Sequence, residues 1–159
     1  MIQVDVEIES DAWEGVADVA DLSRRAAEAA LAALPDAPLH DLVATLLLTD
    51  DESVRQLNVA WRGQDKATNV LSFPAPPMPG TPRHLGDIAI AYETTAREAR
   101  DDGKPLTDHS AHLVVHGVLH LLGHDHEDED EADAMEGIEV AALARLGIPD
   151  PYRAPATPA

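Results

Sequence analysis

The pattern of polar and apolar residues predicts a single α+β domain of α/β type, with a small, mostly parallel sheet packed by helices. Three observations lead there. Strand-like and helix-like segments interleave from end to end. One segment, 107–122, is helical in pattern yet apolar on nearly every side apart from its histidines and first turn, so it belongs at a domain centre. No repeat or internal linker interrupts the chain, and 159 residues suffice for one sizeable core. The domain is expected over 1–150, with 151–159 as a flexible Pro-rich tail.

Ile2, Val4, Val6 and Ile8 alternate with Gln3, Asp5, Glu7 and Glu9, a period of two that predicts a strand with one wet face. An Ala-rich helix is expected over 11–34, stopped by Pro35. The continuous apolar run 42–48 predicts a buried strand. Thr49-Asp50-Asp51-Glu52 reads as a capping box opening a helix, with Val54, Leu57 and Trp61 as its apolar stripe and Gly63 as its stop. Strands are expected over 68–73 and 87–91. Between them, 74–82 holds five prolines and must be an extended surface loop. A helix from Glu93 ends at Gly103, and Thr107 can cap the central helix that runs to Leu122. The last helix, 128–146, carries Met135, Ile138, Ala142 and Leu146 on one stripe.

Composition narrows the chemistry. Without cysteine there is no disulfide, thiolate-bound metal or thiol nucleophile, so any metal must sit on His, Asp or Glu. The formal net charge of −19 repels nucleic acid and anionic membrane on average. The charge is uneven, however: residues 55–104 hold seven of the eleven bases against six acids, which leaves that stretch at +1 and the remainder at −20. A polyanion can still be bound if the middle of the chain forms the binding face. The few aromatics (Trp13, Trp61, Phe73, Tyr92 and Tyr152) argue against a surface of base-stacking platforms. The first residues do not resemble a signal peptide and no run is long and apolar enough to span a bilayer, so a cytoplasmic protein is expected.

The informative segment is His112-Leu-Val-Val-His116-Gly-Val-Leu-His120-Leu-Leu-Gly123-His124-Asp125-His126. His116 and His120, four apart on a helix, project their rings from one face one turn apart and can share a metal. Gly123 permits the turn that ends the helix and returns His126 as a third ligand, with His124 as the rival for that place. The spacing His-x3-His-x2-Gly-x2-His is that of the long zincin motif, and three imidazoles suit zinc while leaving a position for water. Zinc peptidases place a general-base Glu directly after the first His; here that position is Gly117. Metal-assisted phosphoryl chemistry fits better. A second constellation runs from Asn58 to Pro74. Arg62, in the last turn of its helix, is a candidate phosphate clamp, with Lys66, Thr68 and Asn69 as nearby donors; equally, Arg62 can complement the helix terminus and Thr68 and Asn69 can shape a turn. His112 and His109 share the helical face of His116, and His112 can be a substrate contact, a support for a ligand or a packed core residue.

Together the segments His116–His126, Asn58–Pro74 and Leu85-Gly86-Asp87-Ile88 resemble the YbeY family, bacterial rRNA maturation factors described as metal-dependent endoribonucleases. The resemblance is dense from about 45 to 130. It implies one Zn2+ per chain on His116, His120 and His126, with Arg62 and His116 as the residues on which activity depends. It implies a single-stranded RNA substrate, a role in 16S rRNA 3′-end maturation and ribosome quality control, and the small ribosomal subunit and its assembly factors as partners, with neither DNA nor membrane. Ala67 replaces the family's usual proline, and His124 stands where many members have tyrosine. Two other readings are a non-catalytic assembly factor with a structural zinc and a metallopeptidase, which the missing Glu disfavours.

Overall fold

The computed structural model describes residues 2–35, 41–76, 83–124 and 128–152. Four strands, β1 (Ile2–Ile8), β2 (Leu42–Thr49), β3 (Val70–Pro74) and β4 (Arg83–Ala91), form one sheet in the order β1-β2-β4-β3. The first two pairings are parallel and β3 is antiparallel to β4, so the sheet is mixed and mostly parallel. Five α-helices accompany it: α1 (Val19–Ala32), α2 (Asp51–Arg62), α3 (Tyr92–Asp101), α4 (Leu106–Leu121) and α5 (Glu129–Arg145). This is the expected α+β domain.

Helices α1, α4 and α5 pack together, and α1 and α4 lie on one face of the sheet. There Ile2, Val4, Leu42, Ala44, Leu46, Leu48, Ile88 and Ile90 meet Val114, Val115, Val118 and Leu119 of α4 in the main core. The opposite face is thinner. Val54 and Leu57 of α2 cover Leu71, Phe73, Ala89 and Ala91 in a satellite cluster. Strand β2 is therefore not equally buried on its two sides: Leu42, Ala44, Leu46 and Leu48 are buried, while Val43, Thr45 and Leu47 are half-buried.

Several boundaries differ from the expected ones, each for a local reason. The helix expected over 11–34 is broken. Asp11–Gly15 forms a short 3-10 helix that buries Trp13, whose indole Nε1–H donates to the Thr49 carbonyl (2.8 Å) and whose ring meets Tyr92 edge-on. Asp18 then takes a left-handed conformation (φ 50°) before α1 begins. A tertiary hydrogen bond to a strand end thus overrides the helical propensity of Ala and Glu. The cap of α2 is Asp50, one residue later than the capping box implies; its carboxylate accepts from the Ser53 amide (2.8 Å), while Thr49 remains in β2. Pro105, not Thr107, precedes the first turn of α4, where its fixed φ suits a helix entrance. Pro74 closes β3, and residues 77–82 of the expected loop lie outside the described residues. Of the expected tail, Pro151 and Tyr152 are described: the Lys104 ammonium donates to the Pro151 carbonyl (2.5 Å) and Tyr152 bonds to α5, while residues 153–159 lie outside the described residues.

Gly86 shows how tightly β3 docks. A Cβ there would lie 2.2 Å from the Phe73 carbonyl oxygen, and its φ of 138° is accessible essentially to glycine. It adjoins a bulge, because β2 residues Val43 and Ala44 pair with His84 and Gly86, skipping Leu85. The missing side chain at Gly86 lets the end of β3 close against β4, where Pro74 pairs with Gly86.

Candidate active site

Helix α4 is apolar around most of its circumference, so packing fixes it on all sides but one. Val115 and Leu119 are wholly buried, whereas His116 and His120 are only partly covered. Their Nε2 atoms converge to 3.1 Å. Two nitrogens each 2.0–2.1 Å from one tetrahedral ion would stand about 3.3 Å apart, so the pair is spaced to share a metal with little rearrangement. Between them in sequence is Gly117, on the face turned to the sheet. A Cβ at Gly117 would lie 2.8 Å from Ile88 Cγ2. At the position that carries the general base in zinc peptidases, even a Cβ would crowd Ile88, and a glutamate side chain has no room.

The end of α4 is a Schellman turn. The Gly123 amide donates to the His120 carbonyl and the His124 amide to the Leu119 carbonyl, both 3.0 Å. Gly123 has φ 96°, which reverses the chain and sets His124 at the rim of the same cleft. His126, the expected third ligand, lies outside the described residues, as do Asp125 and Glu127.

The cleft has a volume of about 670 Å³ and lies between α4 and the edge strand β3. Arg62, Thr68, Asn69, Val70, Ser72 and Pro74 form one side, and His116, His120, Gly123 and His124 the other. Lys66 and His112 are not among its lining residues. The Arg62 guanidinium reaches the Ser72 carbonyl (3.4 Å) and has no carboxylate partner among the described residues. It is not needed to close its own helix, because the amides of Gly63 and Gln64 already bond back to the Val59 and Asn58 carbonyls. Asn58, buried in α2, anchors the following loop by donating to the Lys66 carbonyl (2.9 Å). The amide of Asn69 is held by the protein: its nitrogen donates to Glu98 (2.9 Å) and its oxygen accepts from the Val70 amide (2.7 Å). Buried His109 bonds the same Glu98 carboxylate (3.0 Å), so it supports Asn69 and is not among the residues lining the cleft.

The sequence reading misses one residue. Glu139 of α5 is 1% exposed and lies behind the histidines. One carboxylate oxygen is 2.6 Å from His116 Nδ1, and the other is 2.9 Å from His112 Nε2 and accepts from the Tyr152 hydroxyl. Burial alone would raise this carboxyl, but hydrogen bonds from His112, His116 and Tyr152 outweigh it and bring the pKa down to about 2. Burial and the adjoining carboxylate in turn raise the Tyr152 phenol well above its usual value. The available signal was a charged residue among the apolar positions of a helix: Glu139 lies four residues after Met135 and three and four before Ala142 and Leu143, all buried.

Fold and cleft define the class first: a single α+β domain whose histidine-bearing central helix faces an open site. Residues 7–147 match the family model described as Endoribonuclease YbeY, and the chain belongs to that family. A relative from Rhodopseudomonas palustris (strain BisA53), named Endoribonuclease YbeY, is 54% identical over 153 residues, covering 93% of this chain and 88% of its own. Another of the same name, from Azorhizobium caulinodans, is 49% identical and covers 98% and 99%. The solution structure of a Thermotoga maritima protein has a TM-score of 0.56 at 21% identity over 99% of this chain and 100% of that one, which establishes a shared fold. No helix among the described residues is long and apolar enough to cross a membrane.

Proposed function

We propose that this protein is a metal-dependent endoribonuclease that cleaves single-stranded RNA, with one zinc ion held by His116, His120 and His126. The observation that carries the reading is the shared cleft: a convergent imidazole pair on α4 faces Arg62 across it, within one lineage of relatives named endoribonucleases. The imidazoles of His116, His120 and His126 would hold the divalent ion, which would supply Lewis acidity toward a phosphoryl oxygen and a lowered pKa for its bound water. Arg62 binds the scissile phosphate and offsets the charge that develops there, because among the described side chains lining the cleft it alone is permanently cationic. Its contact with Ser72 pre-orients the guanidinium without engaging it in an ion pair. Asn69, tied to Glu98, shapes the floor, and Thr68 offers a hydroxyl beside it.

A solely structural zinc would be closed by four protein ligands, whereas His116 and His120 line an open cleft. The biological substrate in this reading is small-subunit rRNA near its 3′ end, in the cytoplasm. The acidity of the chain makes recruitment by a ribosomal partner more effective than unaided capture of RNA. The test is cleavage of a single-stranded RNA by purified protein, with and without a chelator, beside His116→Ala. Activity that survives both the chelator and the substitution refutes the proposal.

A further inference from the structure

We propose that Glu139 is a positioning residue for His116, and that Tyr152 holds Glu139 in turn, so that the chain segment after α5 braces the metal site. The inference rests on the reading of His116 as a metal ligand and adds an element to it.

A carboxylate on the buried face of a helix needs hydrogen-bond donors on both its oxygens and an answer to its charge. Glu139 meets the first condition with three donors: His116, His112 and Tyr152. Among the described residues no lysine or arginine lies against it, so its charge is answered by the hydrogen bonds that the two imidazoles and the phenol donate. An ionised carboxylate only accepts, so the nitrogen of His116 facing it, Nδ1, must carry the proton. That leaves Nε2, on the cleft side and 3.1 Å from His120 Nε2, with its lone pair presented outward when the ring is neutral. Nε2 is thereby selected as the metal-binding atom, and the ring is prevented from rotating to offer the other nitrogen.

Tyr152 extends the support. Its hydroxyl and His112 Nε2 share one oxygen of Glu139, and its ring stands edge-on to His112 at 5.4 Å and 87°. The Lys104–Pro151 bond fastens the same segment beside the start of α4. His112 thereby acquires a place behind the site, through Glu139, and not in the substrate cleft.

The experiment uses the full chain, with zinc as the probe. Zinc affinity is measured by chelator competition for wild type, Glu139→Gln, Tyr152→Phe and His116→Ala. The ring tautomer of His116 is read separately in metal-free protein, by long-range ¹H–¹⁵N spectra at a pH where the ring is neutral. Wild type is expected to hold the Nδ1–H form, and Glu139→Gln to show a mixture of forms. Affinity should fall about 10–100-fold in Glu139→Gln, with a smaller loss in the same direction in Tyr152→Phe. Unchanged affinity and an unchanged tautomer in folded Glu139→Gln would overturn the proposal. If that variant does not fold, Tyr152→Phe decides, since Tyr152 is about half exposed and tolerates the change; affinity equal to wild type then overturns it. Equal zinc binding by wild type and His116→Ala instead overturns the metal reading beneath it, and an Nε2–H form in wild type overturns the positioning role whatever metal is bound.

Discussion

Replacing Gly117 by alanine tests how closely α4 is pressed to the sheet. In an exposed helix this change stabilises, by about 1 kcal/mol, because alanine has less backbone freedom to lose. Here the new methyl would stand 2.8, 3.1 and 3.2 Å from three carbons of Ile88, where ordinary contact begins near 3.4 Å. Ile88 is 1% exposed in a central strand, so it cannot swing aside. Overpacking of this kind costs about 1–3 kcal/mol. The net expectation is a loss of about 1 kcal/mol, a fall in Tm of about 2–4 °C for a domain of this size. Thermal unfolding followed by circular dichroism measures it. A double-mutant cycle with Ile88→Ala isolates the contact: in that background the methyl enters vacated space, and the coupling should be about 1–3 kcal/mol. If Gly117→Ala alone raises Tm as a solvent-exposed helical glycine would, the close approach is wrong. Gly117→Glu, which would restore the peptidase pattern, should prevent stable folding, since a carboxylate cannot be fitted or solvated there.

Three further outcomes follow from the same geometry. Arg62→Ala should melt within a few degrees of wild type and keep its metal, yet lose about 10²–10³ in RNA cleavage, the usual effect of removing one charge-stabilising group; unfolding or loss of zinc would make Arg62 a structural residue. His120→Ala should lose the ion by elemental analysis, whereas His109→Ala, which touches Glu98 and not the imidazole pair, should retain it. Asp128 caps α5 by accepting from the Glu131 amide (2.7 Å), so Asp128→Ala should cost about 1 kcal/mol and Asp128→Asn only a fraction of that; equal melting of the two variants would show that the cap contributes nothing.

The fold was legible wherever a local pattern and a tertiary environment agreed. The alternation at Ile2–Ile8, the Gly63 stop and the all-round apolar character of α4 each found the partner their pattern required. The long helix expected over 11–34 failed because the buried Trp13 indole needs an acceptor, and the Thr49 carbonyl lies 36 residues away. The aromatic count argued against stacking, yet Tyr152, one of those few aromatics, turned out to serve the site from behind through its hydroxyl.

For the site itself, spacing along one helix determined that His116 and His120 share a face, because a helix repeats every 3.6 residues whatever surrounds it. The sequence motif also placed Arg62 at the end of α2, a short step before β3. What no spacing could determine was the company these residues keep across the domain. Glu139 follows His116 by 23 residues and Tyr152 follows Glu139 by 13, and only the packing of α5 on α4 brings the three together. The packing of α4 on the sheet explains Gly117: the sequence showed a missing base, while the tertiary structure showed Ile88 of β4 occupying the space that base would need. Local periodicity decides which way a side chain leaves its own helix; only the close packing of one element on another decides what it meets.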